Sequence, residues 1–190
     1  MRTLTVFESL TLNGFFAGPD GDLDWAYANS GDPEFQAFVQ DNASSPGTLL
    51  FGRTTYEMMA SWWPSEMAAA QNPEVAAGMN AAEKIVFSGT LKKAEWTGTL
   101  LVKDDPAEYV RTLKKTRGKN LVVLGSGKLV AGLAEAGLID TCQFVYKPVV
   151  LGAGRTLFAG MKTPLGFRVT STRAFRDGNL VVNLEREAGL

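Results

Sequence analysis

Two stretches of this 190-residue chain place chemically useful residues where an apolar strand gives way to a helix. TLLFGRTTYEM (Thr48–Met58) carries Gly52, Arg53, Thr54 and Thr55 at the change. LVVLGSGKLVAGL (Leu121–Leu133) carries Gly125, Ser126, Gly127, Lys128 and Leu129. A strand-to-helix junction exposes unpaired backbone N–H groups and the positive end of the helix dipole, so it attracts anions, phosphates above all. Arg53 sharpens that preference. Two such junctions at the carboxyl ends of strands suit the two phosphates of a dinucleotide. Standing alone, a G-x-G pattern is equally compatible with a tight turn and nothing more. A Rossmann fingerprint would need a third glycine where Val130 stands, and a P-loop would need Ser or Thr where Leu129 stands.

A third strand end, KIVFSGT (Lys84–Thr90), presents Ser88 and Thr90, either as turn residues or as donors to the far end of such a ligand. Asp20, Asp22 and Asp24 have the spacing of a calcium loop, but the glycine is misplaced and Gly31 occupies the twelfth position, so no metal site is expected. The chain has no histidine and one cysteine, Cys142. Ser-His-Asp and Cys-His machinery and a structural zinc site are thereby excluded, and proton transfer falls to carboxylates, tyrosine, lysine or water. A formal charge of −1, with acids and bases interspersed, gives no field to gather nucleic acid or a membrane surface. No window approaches the roughly 20 apolar residues that span a bilayer. With a single thiol, a reducing cytoplasmic setting is the simplest expectation.

The elements that must position these residues alternate. Arg2–Ser9 reads as a strand and Gly14–Asp24 as a loop. Asp32-Pro33 opens a helix as N-cap and first-turn proline, and Thr48–Phe51 is a buried strand. Ser65–Ala82 is alanine-rich and broken at Asn72-Pro73. Short apolar runs at Lys84–Phe87 and Thr99–Val102 precede a capping box at Asp105–Glu108. Asn120–Leu124 is a further strand. Thr141–Val150, Arg168–Phe175 and Leu180–Glu185 close the chain as strands, the last two joined at Asp177-Gly178. The expected fold is one α/β domain over residues 1–190, three-layered, with helices flanking a mixed sheet that is parallel first and antiparallel last.

SLTLNGFFAGPDGDLDW, FGRTTYEMM and VVLGSGKLVAGLAEAGLIDTCQFVYKPVVLGAGRTLF occur in the order and spacing of a known family. Over nearly its whole length the chain resembles the dihydrofolate reductase superfamily, and within it the RibD C-terminal domain family, related to the riboflavin-biosynthesis enzyme 5-amino-6-(5-phosphoribosylamino)uracil reductase. The resemblance implies NADPH lying across the strand ends. Gly52, Arg53, Thr54 and Thr55 would hold adenosine-side phosphates, Ser88 would approach the 2′-phosphate, and Gly125, Ser126, Gly127, Lys128 and Leu129 would face the pyrophosphate. Ser9, Asn13 and Gly14 would border the nicotinamide. Asn13 stands where the family commonly has aspartate. Dihydrofolate reductases also carry an acid in the first helix, where this chain offers Gln36; Asp32 and Glu34, nearby, suit first-turn charges instead, so folate is disfavoured.

For a substrate the candidates are Trp25, as a stacking ring or else a side chain folded onto the core, Tyr56, and Arg155, as a partner for a phosphate or in a structural ion pair. Asp24 is the candidate proton source. The reading is an NADPH-dependent reductase of a small planar heterocyclic or carbonyl-like substrate. Its rival is a dinucleotide-binding sensor or scaffold with little catalysis. A homodimer is expected through an apolar edge offered by Thr141–Val150 and the C-terminal strands.

Overall fold

A computed structural model describes residues 1–27 and 31–187. Its main sheet has eight strands in the order β5-β4-β3-β6-β1-β7-β10-β9. They are β1 (Leu4–Thr11), β3 (Thr48–Gly52), β4 (Glu83–Phe87), β5 (Thr99–Val102), β6 (Leu121–Leu124), β7 (Thr141–Lys147), β9 (Phe167–Ala174) and β10 (Leu180–Arg186). Every pairing from β5 to β7 is parallel, whereas β10 runs antiparallel to both β7 and β9. The parallel strands are covered on both faces, which is why TLLF of β3 is buried at every position.

On one face, Leu49, Phe51 and Val86 pack under helices α2 (Pro33–Ser44), α3 (Arg53–Trp62) and α5 (Pro73–Ala81). On the other, Leu4, Val6, Leu121 and Val123 pack under α6 (Pro106–Lys114) and α7 (Gly127–Glu135). The helix starts follow local chemistry. Asp32 and Asp105 accept the backbone N–H of Glu34 and Glu108, with proline in the first turn, and Ser65 caps α4 (Glu66–Gln71) in the same way.

Three expectations are corrected. Gly14–Asp24 is not all loop: β2 (Phe15–Ala17) pairs with β8 (Arg155–Thr156), and Asp24 starts the short helix α1 (Asp24–Tyr27). The strand expected over Thr141–Val150 stops at Lys147, ahead of Pro148, which has no N–H to extend a ladder. That strand also offers no edge, because β1 and β10 flank it. The edges are β5 and β9, and β9 is mostly polar and exposed.

The topology fixes where a ligand belongs. From β1 the chain passes through α2 to β3, on one side; from β6 it passes through α7 to β7, on the other. β1 and β6 are neighbours, in register from Leu4↔Leu121 to Phe7↔Leu124. Connections leaving adjacent strands in opposite directions open a crevice at their carboxyl ends.

Gly78 of α5 sits so close to α2 that an added Cβ would lie 1.9 Å from the Ala43 carbonyl oxygen. Gly132 of α7 meets nothing. Gly78→Ala is expected to lower the unfolding free energy by about 1–3 kcal/mol through overpacking. Gly132→Ala should raise it by roughly 0.5–1 kcal/mol, the helix-interior penalty of glycine. Urea unfolding of the two variants checks both signs.

Candidate active site

At the crevice the two strand-to-helix junctions stand side by side and are bonded together. The Gly52 N–H donates to Ser126 Oγ at 2.8 Å, and that hydroxyl donates to Thr55 Oγ1 at 2.8 Å. The approach requires glycine, since a Cβ on Gly52 would come within 2.9 Å of Ser126 Oγ. Gly125 and Ser126 both have positive φ, 60° and 66°, and Ser126 is the sole non-glycine among the described residues to do so. Successive left-handed residues followed by a helix turn their backbone N–H groups toward a common point, an arrangement suited to anions. Neither α3 nor α7 has a side-chain cap on its first turn, a lack shared with α5, whereas α2, α4 and α6 are capped.

Both junctions line a cleft of about 2220 Å³, larger than the ~300–1,000 Å³ of ordinary small-molecule pockets. Its walls include Ser9, Gly52, Arg53, Thr54, Thr55, Gly125, Ser126, Gly127, Lys128 and Leu129, so most of the residues expected to hold a dinucleotide are together. Arg53 is exposed there, bridged to Glu57 at 2.9 Å and donating to Thr90 Oγ1 at 2.8 Å. Ser88 lies just beyond: its hydroxyl accepts the N–H groups of Thr90 and Leu91, a turn held by its own side chain. The arginine thus reaches the turn after β4 without any charge partner on that turn.

Other expected site residues lie elsewhere. Tyr56 is buried between Phe51 and Trp96, and its hydroxyl accepts the Trp96 N–H at 3.0 Å, so it belongs to the core and not to a substrate pocket. Trp25 is buried under α1 and does not line the cleft. Asp24 is exposed at the start of α1, also outside the cleft walls, and is not placed to deliver a proton there. Asn13 serves the backbone, donating to the Leu151 carbonyl at 2.7 Å and accepting from Thr11 Oγ1, and Gly14 turns the chain after Thr11 with φ 81°. Phe16, Ala17, Asp20 and Gly21 line the cleft in place of Asn13 and Gly14. Arg155 does line it, but its Nε and Nη2 both donate to the Pro19 carbonyl, which makes it the fastener of the 18–22 loop rather than an ion-pair partner.

Asp32 and Glu34 are structural, as their positions suggest: Asp32 caps α2 and accepts the Arg176 N–H, and Glu34 pairs with Arg173 at 3.1 Å. Gln36, one turn on, faces the cleft. So does Lys147, buried at the end of β7 with its ammonium 4.6 Å over the Phe35 ring.

One acid of the cleft was not anticipated. Glu8, on β1, lies one residue past the last β1–β6 pair. Its Oε1 accepts the Ser9 N–H at 3.0 Å, while Oε2 is sealed from solvent and has no hydrogen-bond partner among the described residues. Burial pushes the carboxyl up to about 8, against the smaller opposing pull of the Ser9 N–H. The available signal was a carboxylate at an inward position of an apolar strand.

A profile of the RibD C-terminal domain matches residues 2–181. The chain belongs to the RibD C-terminal domain family. Among curated relatives, the uncharacterized protein YyaP of Bacillus subtilis (strain 168) is 28% identical over 177 residues, 93% of this chain and 91% of that protein. Among solved structures, a diaminohydroxyphosphoribosylaminopyrimidine deaminase/5-amino-6-(5-phosphoribosylamino)uracil reductase of Thermotoga maritima superposes with a TM-score of 0.69 at 16% identity, over 98% of this chain and 57% of that one. The Enterococcus faecalis dihydrofolate reductase, complexed with NADP(H) and RAB-propyl, gives 0.66 at 15% identity, over 98% and 97%. This RibD C-terminal domain therefore has the dihydrofolate reductase-like fold, with its cleft at the switch point of the sheet.

Ser126→Ala in this RibD C-terminal domain removes the acceptor of the Gly52 N–H. The variant is expected to lose about 1–3 kcal/mol of stability, the cost of leaving a buried donor unpaired. Chemical unfolding monitored by tryptophan fluorescence measures it.

Proposed function

We propose that this chain is a reductase that uses NADPH to reduce a small planar heterocyclic or carbonyl-like substrate. The observation that carries the proposal is the pair of uncapped helix starts bound to each other through Ser126, opening on one cleft with Arg53 at its rim. The residues fit a dinucleotide by shape as well as type. A Cβ on Gly125 would lie 3.0 Å from Thr55, so only glycine there lets the two junctions pack this closely.

When bound, the dihydronicotinamide supplies the hydride. The chain's part is to hold and orient. The first-turn N–H groups of α3 and α7 would take the phosphates, and Arg53, with Thr90 and Ser88 behind it, would take the 2′-phosphate. The apolar wall of Phe16, Phe35 and Leu129 would exclude water from the reacting ends. Gln36 and Lys147 would face the substrate from the α2 side, the ammonium within the field of Asp177, and α2 itself brings amides and no acid to the cleft wall. That donor set is poorly matched to the amino-nitrogen edge of a pterin, which supports a substrate other than folate.

NADPH is expected to bind more tightly than NADH, and Arg53→Ala should erase roughly 10- to 150-fold of the difference, the equivalent of one charge-assisted contact of about 1.5–3 kcal/mol. Titration by tryptophan quenching decides it, and equal affinity of the wild type for both would remove Arg53 from the site. Loss of NADPH absorbance with a panel of heterocyclic and carbonyl substrates separates a reductase from a sensor, because binding alone oxidises nothing.

A further inference from the structure

Glu8 is part-buried, and its sealed Oε2 is one of the few side-chain polar atoms among the described residues, with Trp25 Nε1, Thr99 Oγ1 and Asp177 Oδ2, that the fold leaves without a partner; of these it alone lies on a cleft-lining residue. Glu8 sits on a central strand, at the level where β6 leaves the sheet, and its Oε2 lies under the glycine turn: a Cβ added to Gly125 would come within 3.6 Å of it. Buried side-chain oxygens almost always have a partner, and one that lacks a partner in a cleft invites a ligand. We propose that Glu8 is a ligand-binding residue, its carboxyl turning out from beneath the glycine turn to donate its O–H to an acceptor oxygen of the dinucleotide held by Gly125–Leu129. The proposal rests on the dinucleotide reading above.

Charge explains why the proton matters. An ionised carboxylate beneath the turn would face the cofactor's phosphates across a few ångströms of poorly screening protein and repel them. The protonated acid offers a donor in place of that repulsion. Burial holds the proton on to about pH 8. The titratable groups on the surrounding elements are Cys142, Tyr146 and Lys147 on β7, Lys128 and Glu135 on α7, Arg53, Tyr56 and Glu57 on α3, and Asp24 and Tyr27 on α1; β2 and β6 have none. None of them forms an ion pair with Glu8, and Arg53 is already bridged to Glu57. Cys142 and Tyr146 are themselves pushed up by burial and stay neutral alongside it.

The sign follows from linkage. Ligand binds the protonated form, so affinity is full below the Glu8 ionisation and falls about ten-fold per pH unit above it. The second ionisation of a phosphate monoester lies near pH 6, so the ligand's own phosphates contribute little between pH 7 and 9. NADPH should therefore bind about ten-fold more weakly at pH 9 than at pH 7. Glu8→Gln, which keeps a donor and cannot ionise, should bind with an affinity that is flat over that range. In the free protein, infrared spectra should show a protonated carboxyl band that fades from pH 7 to 9 and is missing from Glu8→Gln.

Lys84 also titrates near pH 8, but it caps α5 beneath Trp96, and any effect it has persists in Glu8→Gln. A ten-fold decline retained in Glu8→Gln would overturn the proposal, as would wild-type binding that is flat with pH, or no such infrared band. Each of these leaves the dinucleotide reading standing. Absence of NADPH binding by the wild type at every pH would overturn both together.

Discussion

The hydroxyl of Ser126 accepts a backbone N–H from one strand-to-helix junction and donates to a side chain of the same junction, while its own residue begins the helix of the other. To do this it must sit in a left-handed conformation that only glycine adopts without cost. The strain is local and the return is global. β3 and β6, neighbours in the sheet, are locked at the ends that carry α3 and α7, so two helix dipoles are held at a fixed separation before any ligand arrives. Such preorganisation is what allows a mobile, many-rotored molecule to bind at a small entropic cost.

Fold and site were unequally legible in the sequence. Caps and prolines at Asp32-Pro33 and Asp105-Pro106, the buried run TLLF and the strand-glycine-helix junctions are encoded locally, within a few residues, and the structure has them as read. The family and its fold were equally visible, because the three motifs span the chain in order. Tyr56 and Asp24 were misplaced, and Trp25 was left between ligand and core, for a different reason. Whether a side chain beside a motif turns to the ligand or to the core depends on which face its element presents, and that is set by partners far away, such as Trp96 for Tyr56. β7 was taken for an edge because nothing within Thr141–Val150 reveals that the closing hairpin will add to its side. Arg155 was left between two ionic roles, and its true partner is a carbonyl 136 residues distant.

Charge in the cleft refines the statement that this chain has no long-range field. Arg53, Lys128, Lys147 and Arg155 line it, against Asp20 and Glu185 once Glu8 is neutral. A protein of formal charge −1 thus keeps a locally basic lining in its cleft.

On β4, Lys84 is almost wholly buried, its ammonium donating to the carbonyls of Met79, Asn80 and Ala82 at the end of α5 and lying 4.5 Å from the Trp96 ring centre. Burial lowers it to about 8, which would make an exposed amine unusually nucleophilic toward acylating reagents. In the folded chain no reagent can reach it. Its acylation therefore has to wait for the α5 layer to lift from the sheet, and the rate at which this one lysine is labelled becomes a clock for the opening of that half of the core.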